Sequence, residues 1–270
     1  MSGVFLRLRN RRVGFTLVEL LVVIGIIALL VAILLPALTR AKQVALRLVC
    51  AANLRSQGQA MVMYVTDYRH YTGHCASKGS ITFAVWPTRL RKYTKSRGPF
   101  FCPAQEPGFQ WQRVIGTPGA TYAAQAEVDR YGYELGEILL NVERVPFSYG
   151  INDWGAVNVH NPQLGLGAHV DNPWCSELKA NKVRHPSSMM AIADNTCDTS
   201  WDFNIGPHDN GSALRTEYPG KIHNGGANVL FCDGHVLWYL RKELVNVNVA
   251  TGPGRAMNAM WNNTGVAEAN

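Results

Sequence analysis

Three groups of side chains in this 270-residue chain have types and spacings that could do chemistry. Near the C-terminus, His223 is followed after nine residues by Asp233-Gly234, with Cys232 and His235 flanking that dipeptide and Asp194, Asn152 and Asn228 as further oxygen donors elsewhere in the chain. Asp194 and Asp233, with Asn152 or Asn228, would offer oxygens to a hard cation such as Ca2+. His223, His235 and Cys232 would instead offer the nitrogen and sulfur donors that suit zinc. A structural reading takes precedence over both: Asp233 stands where a tight turn wants aspartate, and His223 can hydrogen-bond backbone in the loop before a strand. Asp194, His223 and Asp233 are therefore the metal candidates, with Ca2+ as the cofactor they would take.

The second group lies at the other end. Glu19 is a carboxylate at the entrance of an apolar run that carries no charge from Leu20 to Thr39. An acidic group near a bilayer centre costs about 2–3 kcal/mol and less near the edge, so something should compensate it. Cleavage after Gly14 would make Phe15 the new N-terminus, with an ammonium about 6 Å along the helix from Glu19. The two charges could neutralise each other within one subunit, or between neighbours packed with an axial offset. The intermolecular pairing would make Glu19 a register device.

The third group is the six cysteines. None has the C-x-x-C spacing of a redox or zinc motif, and in an exported domain they permit disulfides. At most two bridges are expected, with Cys175 and Cys197 in loops as one pair; Cys50 on a helix and Cys232 on a hairpin read as small core residues. No Gly-x-Ser-x-Gly elbow, His-Glu-x-x-His or phosphate-binding glycine loop is present, so no enzyme is expected. His70, His74 and His160 read as surface or loop residues.

The elements that must position these groups follow from hydropathy and charge. Twenty uncharged residues make about 30 Å of helix, enough to cross a bilayer. Arg7, Arg9, Arg11 and Arg12 precede it with no acid among them, which holds residues 1–14 in the cytoplasm and sends the rest across the membrane. The run is longer than a signal-peptide core and ends in Pro36-Ala37-Leu38-Thr39-Arg40, a poor cleavage site. The leader carries +4 of the formal +7, leaving +3 scattered among acids, and this argues against nucleic-acid binding.

Apolar residues continue at helical spacing from Ala41 to Tyr68, weakened only by Gly58, so one helix is expected from about Phe15 to Tyr68, its first half in the membrane and its second half on a domain. Beyond it come short pieces: Thr82–Trp86 as a strand, Pro87–Tyr93 as a helical turn, Phe100–Pro103 as an extended stretch, and Ser148–Asn152 and Met189–Ala193 as strands. Residues 198–220 read as a long surface loop. Asn228–Cys232 and His235–Leu240 read as a hairpin around a two-residue type I′ turn at Asp233-Gly234, either well inside the sheet or covered by the long helix. That register pairs Phe231 with Val236 and puts Val229, Phe231, Val236 and Trp238 on one face. The tail 247–270 reads as loose.

Two resemblances join these readings. Gly14-Phe15-Thr16-Leu17-Val18-Glu19 and the apolar residues after it, followed by Pro36, resemble the cleavage and methylation segment of type IV prepilins and type II secretion pseudopilins. That resemblance implies a prepilin peptidase cutting between Gly14 and Phe15, N-methylation of Phe15, subunit docking guided by Glu19 and a helix kink at Pro36. His223-x9-Asp233-Gly234, with Cys50-Ala-Ala-Asn53-Leu54-Arg55, Cys102-Pro103, Ser148–Asn152 and Ala193-Asp194, is similar to the H-x9-DG domain at the C-terminal end of large pseudopilin-like proteins of planctomycete and verrucomicrobial bacteria.

The implied fold is pilin-like α+β, one long N-terminal helix against an antiparallel sheet with long loops. Its parts are a leader at 1–14, a transmembrane or filament-core helix at 15–39, its continuation at 40–68, an exported domain at 69–246 with the hairpin at 223–240, and the tail. The expected role is a structural subunit, held in the inner membrane with its domain in the periplasm and then drawn into a type II secretion-like pseudopilus or type IV-like filament. Its expected partners are the peptidase, copies of itself or other pseudopilins, the assembly platform and the lipid bilayer. The alternative is a membrane-anchored periplasmic module that binds a ligand or carbohydrate and does not assemble.

Overall fold

The structure, a computed structural model, describes residues 16–105, 111, 121–156, 164–173, 175–197, 202–207, 218–245 and 253–265. The chain divides into two compact units, one ending at Lys42 and the other beginning at Gln43.

In the first unit, helix α1 (Leu17–Tyr68) begins and runs through Pro36 without a break. Its apolar side chains, among them Leu21, Ile24, Ile27, Leu30 and Ile33, are exposed. The helix is long and apolar enough to cross a membrane.

In the second unit the same helix becomes amphipathic in use. Cys50, Leu54, Gln57, Gly58, Met61 and Tyr64 are buried, a stripe at three- and four-residue spacing that faces a single side. Gly58, the one weak helix former in this half, is explained by what lies opposite: a Cβ there would come within 2.6 Å of Leu230 Cδ1 and 3.2 Å of the Gly234 backbone. Only a residue without a side chain lets the helix seat against the hairpin turn.

The domain is built on a five-stranded sheet, ordered β5-β3-β4-β6-β7, from β3 (Tyr149–Asn152), β4 (Met190–Asp194), β5 (Asn204–Ile205), β6 (Gly226–Phe231) and β7 (Val236–Leu240). All neighbouring pairs are antiparallel except β3 and β5, which are parallel. A separate two-stranded hairpin, β1 (Cys75–Lys78) with β2 (Ile81–Ala84), leads into α2 (Trp86–Thr94), and α3 (Gln125–Tyr131) follows. The sheet has an apolar cluster on each face. One contains Leu54, Met61, Tyr149, Ile192 and Leu230 beneath α1. The other contains Ala193, Ile205, Val229, Phe231 and Leu244, closed by Trp261.

Four expectations are corrected here. The β6–β7 loop has three residues: Gly234 N donates to Phe231 O at 2.9 Å, Phe231 N donates to His235 O at 2.9 Å, and within the turn only Gly234 has a left-handed φ, of 95°. Asp233 keeps an ordinary φ and accepts the His235 backbone N–H at 3.1 Å, so the turn never needs the second positive φ of type I′. The extra loop residue shifts register by one, pairing Leu230 with Val236 and Val229 with Leu237. Val229 and Phe231 therefore share a face with Leu237 and Tyr239, and Val236 and Trp238 turn to the face of Leu230.

The hairpin also lies at the sheet edge, since β7 has one neighbour, and it is covered instead by the long helix, whose Gly58 sits against Leu230 and Gly234. The stretch 198–220 contributes β5, held because Trp86 Nε1 donates to Phe203 O at 2.8 Å and Phe147 stacks on Phe203. Finally, after the short α4 (Arg241–Leu244), the tail contains α5 (Pro253–Trp261), and Trp261 is fully buried.

Candidate functional site

Gly14 and Phe15 lie outside the described residues. Immediately after them, Thr16 and Glu19 form a capping box at the start of α1. Thr16 N and Oγ1 donate to Glu19 Oε2 at 2.9 and 2.8 Å, and Glu19 N donates to Thr16 Oγ1 at 3.2 Å. The carboxylate thus satisfies a backbone N–H that the helix start leaves without an intrahelical partner, and it lies near the positive end of the helix dipole. Thr-x-x-Glu before an apolar run is a readable capping signature, a role for Glu19 that its charge alone does not reveal.

The second site forms where pieces far apart in the sequence come together. Cys50, the first fully buried residue of α1, is bonded to Cys102, with Cα atoms 5.3 Å apart. Cys102 Sγ lies 3.5 Å from His223 Nε2, and the same nitrogen lies 3.4 Å from Asp194 Oδ2. Asn228 donates its backbone N and its Nδ2 to that oxygen at 2.7 and 2.9 Å. All five side chains are buried.

Each is placed by a different element. Cys50 is on α1; Cys102 follows a 3-10 turn at Gly98–Phe100; Asp194 ends β4; Asn228 is inside β6; and His223 precedes β6, its carbonyl fixed by Trp238 Nε1 at 3.0 Å. Further along the helix from Cys50, Asn53 and Gln57 donate to Phe101 O and Pro99 O at 2.8 and 2.7 Å. These two bonds hold the Cys102 segment along the helix.

Of the metal candidates, Asp194 and His223 are therefore brought together and Asp233 is not. Asp233 sits on the exposed turn, 2.6 Å from His235 Nδ1, with that imidazole stacked on Phe231. The zinc set of His223, His235 and Cys232 is corrected for the same reason. The register shift turns His235 outward with Asp233, and Cys232 is packed beside Tyr71, its thiol pushed up to about 12 by burial. Asn152 is committed elsewhere, donating to Met190 O and Trp261 O.

The cysteine expectation is corrected as well. Cys175 and Cys197 are not bridged to each other, and the Cys50–Cys102 bond is the one disulfide among the described residues. His74 is buried, its Nδ1 3.3 Å from Asp153 Oδ2, and Asn204 Nδ2 donates to the same carboxyl. Burial pushes the Asp153 carboxyl well above the ordinary carboxylate range. A buried pair of this kind is not visible in sequence, because its two members come from the segments adjoining β1 and β3.

A cleft of about 340 Å³ is lined by Tyr64, Tyr68, His70, Arg89, Lys92 and Glu177, with others. Its cations are already engaged: Arg89 with Glu177 at 3.0 Å and with the Thr72 carbonyl, Lys92 with Tyr68 Oη at 3.0 Å, and Arg130 with Asp171 at 3.0 Å.

Residues 9–35 match the family described as the prokaryotic N-terminal methylation motif. The chain is also similar to the type IV wide pilus major component PilA4 of Thermus thermophilus, with 39% identity over 83 residues. That match spans 31% of this chain and 63% of the relative's length. No solved structure matches. The N-terminal part of the chain is type IV prepilin-like, and the long helix followed by a sheet-bearing domain is a pilin-like α+β layout.

Proposed function

We propose that this protein is a pilin-like structural subunit and has no catalytic role. The observation that carries the reading is the methylation motif at residues 9–35 leading into an exposed apolar helix with a single carboxylate at its entrance. In this reading a prepilin peptidase cuts between Gly14 and Phe15, and the Phe15 nitrogen is methylated. The subunit waits in the inner membrane with its domain on the periplasmic side, and an assembly platform then draws it into a type IV-like filament or a type II secretion-like pseudopilus. The apolar helix surface, exposed among the described residues, would be covered first by lipid and then by helices of other subunits.

Glu19 has a double role here. Its Oε2 completes the N-terminal cap of its own helix, while its charge remains available to the ammonium of a neighbouring Phe15. The H-x9-DG resemblance belongs to the same reading: it would mark the domain that the filament displays. The engaged cations of the Tyr64–Lys92 cleft favour this structural role over the ligand-binding alternative.

The test is intact-mass and N-terminal peptide analysis of the protein recovered from its native membrane. The expected product begins at Phe15, with or without an N-methyl group. A chain still beginning near Met1 would reduce the protein to a signal-anchored one, and a chain beginning beyond Thr39 would make it a secreted domain.

A further inference from the structure

The sulfur atoms of Cys50 and Cys102, a His223 nitrogen and an Asp194 carboxylate oxygen all lie within 4.8 Å of one another. They are four donors, of two thiols, one imidazole and one carboxylate, which is a zinc-type set. We propose that in the dithiol form, before the bridge closes, these four residues hold one zinc-class divalent cation, and that closing the Cys50–Cys102 disulfide releases it.

The geometry is close to what the ion needs. With metal–sulfur bonds of about 2.3 Å and metal–nitrogen or –oxygen bonds of about 2.0–2.1 Å, tetrahedral donors sit about 3.3 to 3.8 Å apart. His223 Nε2 is already 3.4 Å from Asp194 Oδ2 and 3.5 Å from Cys102 Sγ. The two sulfurs, no longer bonded, have to separate, and the remaining donor pairs, all within 4.8 Å, have to draw in by at most about 1 Å. The supporting shell is present too. Asn228 fixes Asp194 through two hydrogen bonds, and Asp194 Oδ1 is buried with no hydrogen-bond partner. If the carboxylate turned both of its oxygens to the cation, that orphaned Oδ1, which the disulfide form leaves unsatisfied in the interior, would gain a partner as well.

The chemistry balances without any group from this chain beyond the two cysteines. Zinc binding displaces the two thiol protons to solvent. In an oxidising compartment one thiolate attacks a small-molecule or protein disulfide, expelling one thiolate of that oxidant and forming a mixed disulfide. The second protein thiolate attacks the mixed disulfide, closes the bridge and expels the other. Two electrons pass from the protein sulfurs to the oxidant. With both thiolates now committed to an S–S bond, two of the four ligands are lost and the cation leaves.

The full-length chain in detergent micelles would be prepared oxidised and, separately, reduced with a phosphine in denaturant and refolded, then titrated with Co2+. The reduced chain should bind one Co2+ with a thiolate-to-metal charge-transfer band and an intense tetrahedral visible band, both displaced by Zn2+; the oxidised chain should show neither. His223→Ala should abolish the visible band, and Asn228→Ala should weaken binding about 10–100-fold. A reduced chain that binds no Co2+, that binds without the charge-transfer band, or whose binding is unchanged in His223→Ala would overturn the proposal, as would a bridged chain that binds equally well.

Discussion

Single residues carry most of what is unusual in this molecule, and Asp153 is the clearest. Its carboxyl is buried among His74 and Asn204, and burial favours the protonated form. For an acid whose folded pKa is raised, the folded state binds the proton more tightly than the unfolded one. Stability is then fully present below the ordinary carboxylate value of 3.8 and declines as pH rises toward the raised value. The slope in that window is at most about 1.4 kcal/mol per pH unit. Asp153→Asn keeps the hydrogen-bonding shape without the ionisable proton, so chemical-denaturation curves of the variant should lose that slope and cross those of the parent as pH rises. A variant with an unchanged pH dependence would assign the slope to another group.

What the sequence could show about residues depended on whether their role is local. Glu19 stands out in the sequence because a charge inside an apolar run is conspicuous by itself, but the charge alone does not reveal its bond to Thr16, three positions away. Gly58 was visible as a defect in a helix, but its reason, Leu230 and Gly234 opposite, lies on the C-terminal hairpin, far along the chain. Distance in sequence likewise hid the partner of Cys50.

At the scale of elements, the pieces with a strong local pattern were legible. These were α1, β3, β4 and the position of α2, where apolar spacing or an unbroken apolar run decides the structure. β5 was not, because two strand residues in a stretch rich in Asp, Asn, Gly and Pro carry no period; Trp86 and Phe147 from other elements hold it. The β6–β7 register failed on one φ angle, since Asp233-Gly234 suits both a two-residue and a three-residue loop.

α5 failed for another reason. Its sequence is small and polar apart from Met257, Met260 and Trp261, and its stability comes from closing the sheet face that α1 does not reach. Trp261→Ala should therefore destabilise the domain by about 3–5 kcal/mol in denaturant unfolding, as expected for an emptied tryptophan site. An effect under about 1 kcal/mol would return the segment to a peripheral role.

The whole molecule couples a helix built for an apolar environment to a domain built for water. The sequence announces this division through the uncharged run and the four leader arginines, whereas the site around the disulfide emerges only when the domain closes. In the proposed filament, Glu19→Ala should leave insertion intact, read as retention in the carbonate-washed membrane pellet, while incorporation into sheared filaments falls below detection. Filaments formed normally by the variant would show that the carboxylate serves its own helix cap and nothing beyond it.

The position of the bridge has a mechanical consequence. Cys50 is the first residue of α1 to be fully buried, and it is the residue covalently joined to the domain. Tension drawn along the stem of such a filament would reach that sulfur bond before it reached the packed stripe of Leu54, Met61 and Tyr64. The stripe could not be peeled away one contact at a time, because the crack would have to start at a covalent rivet.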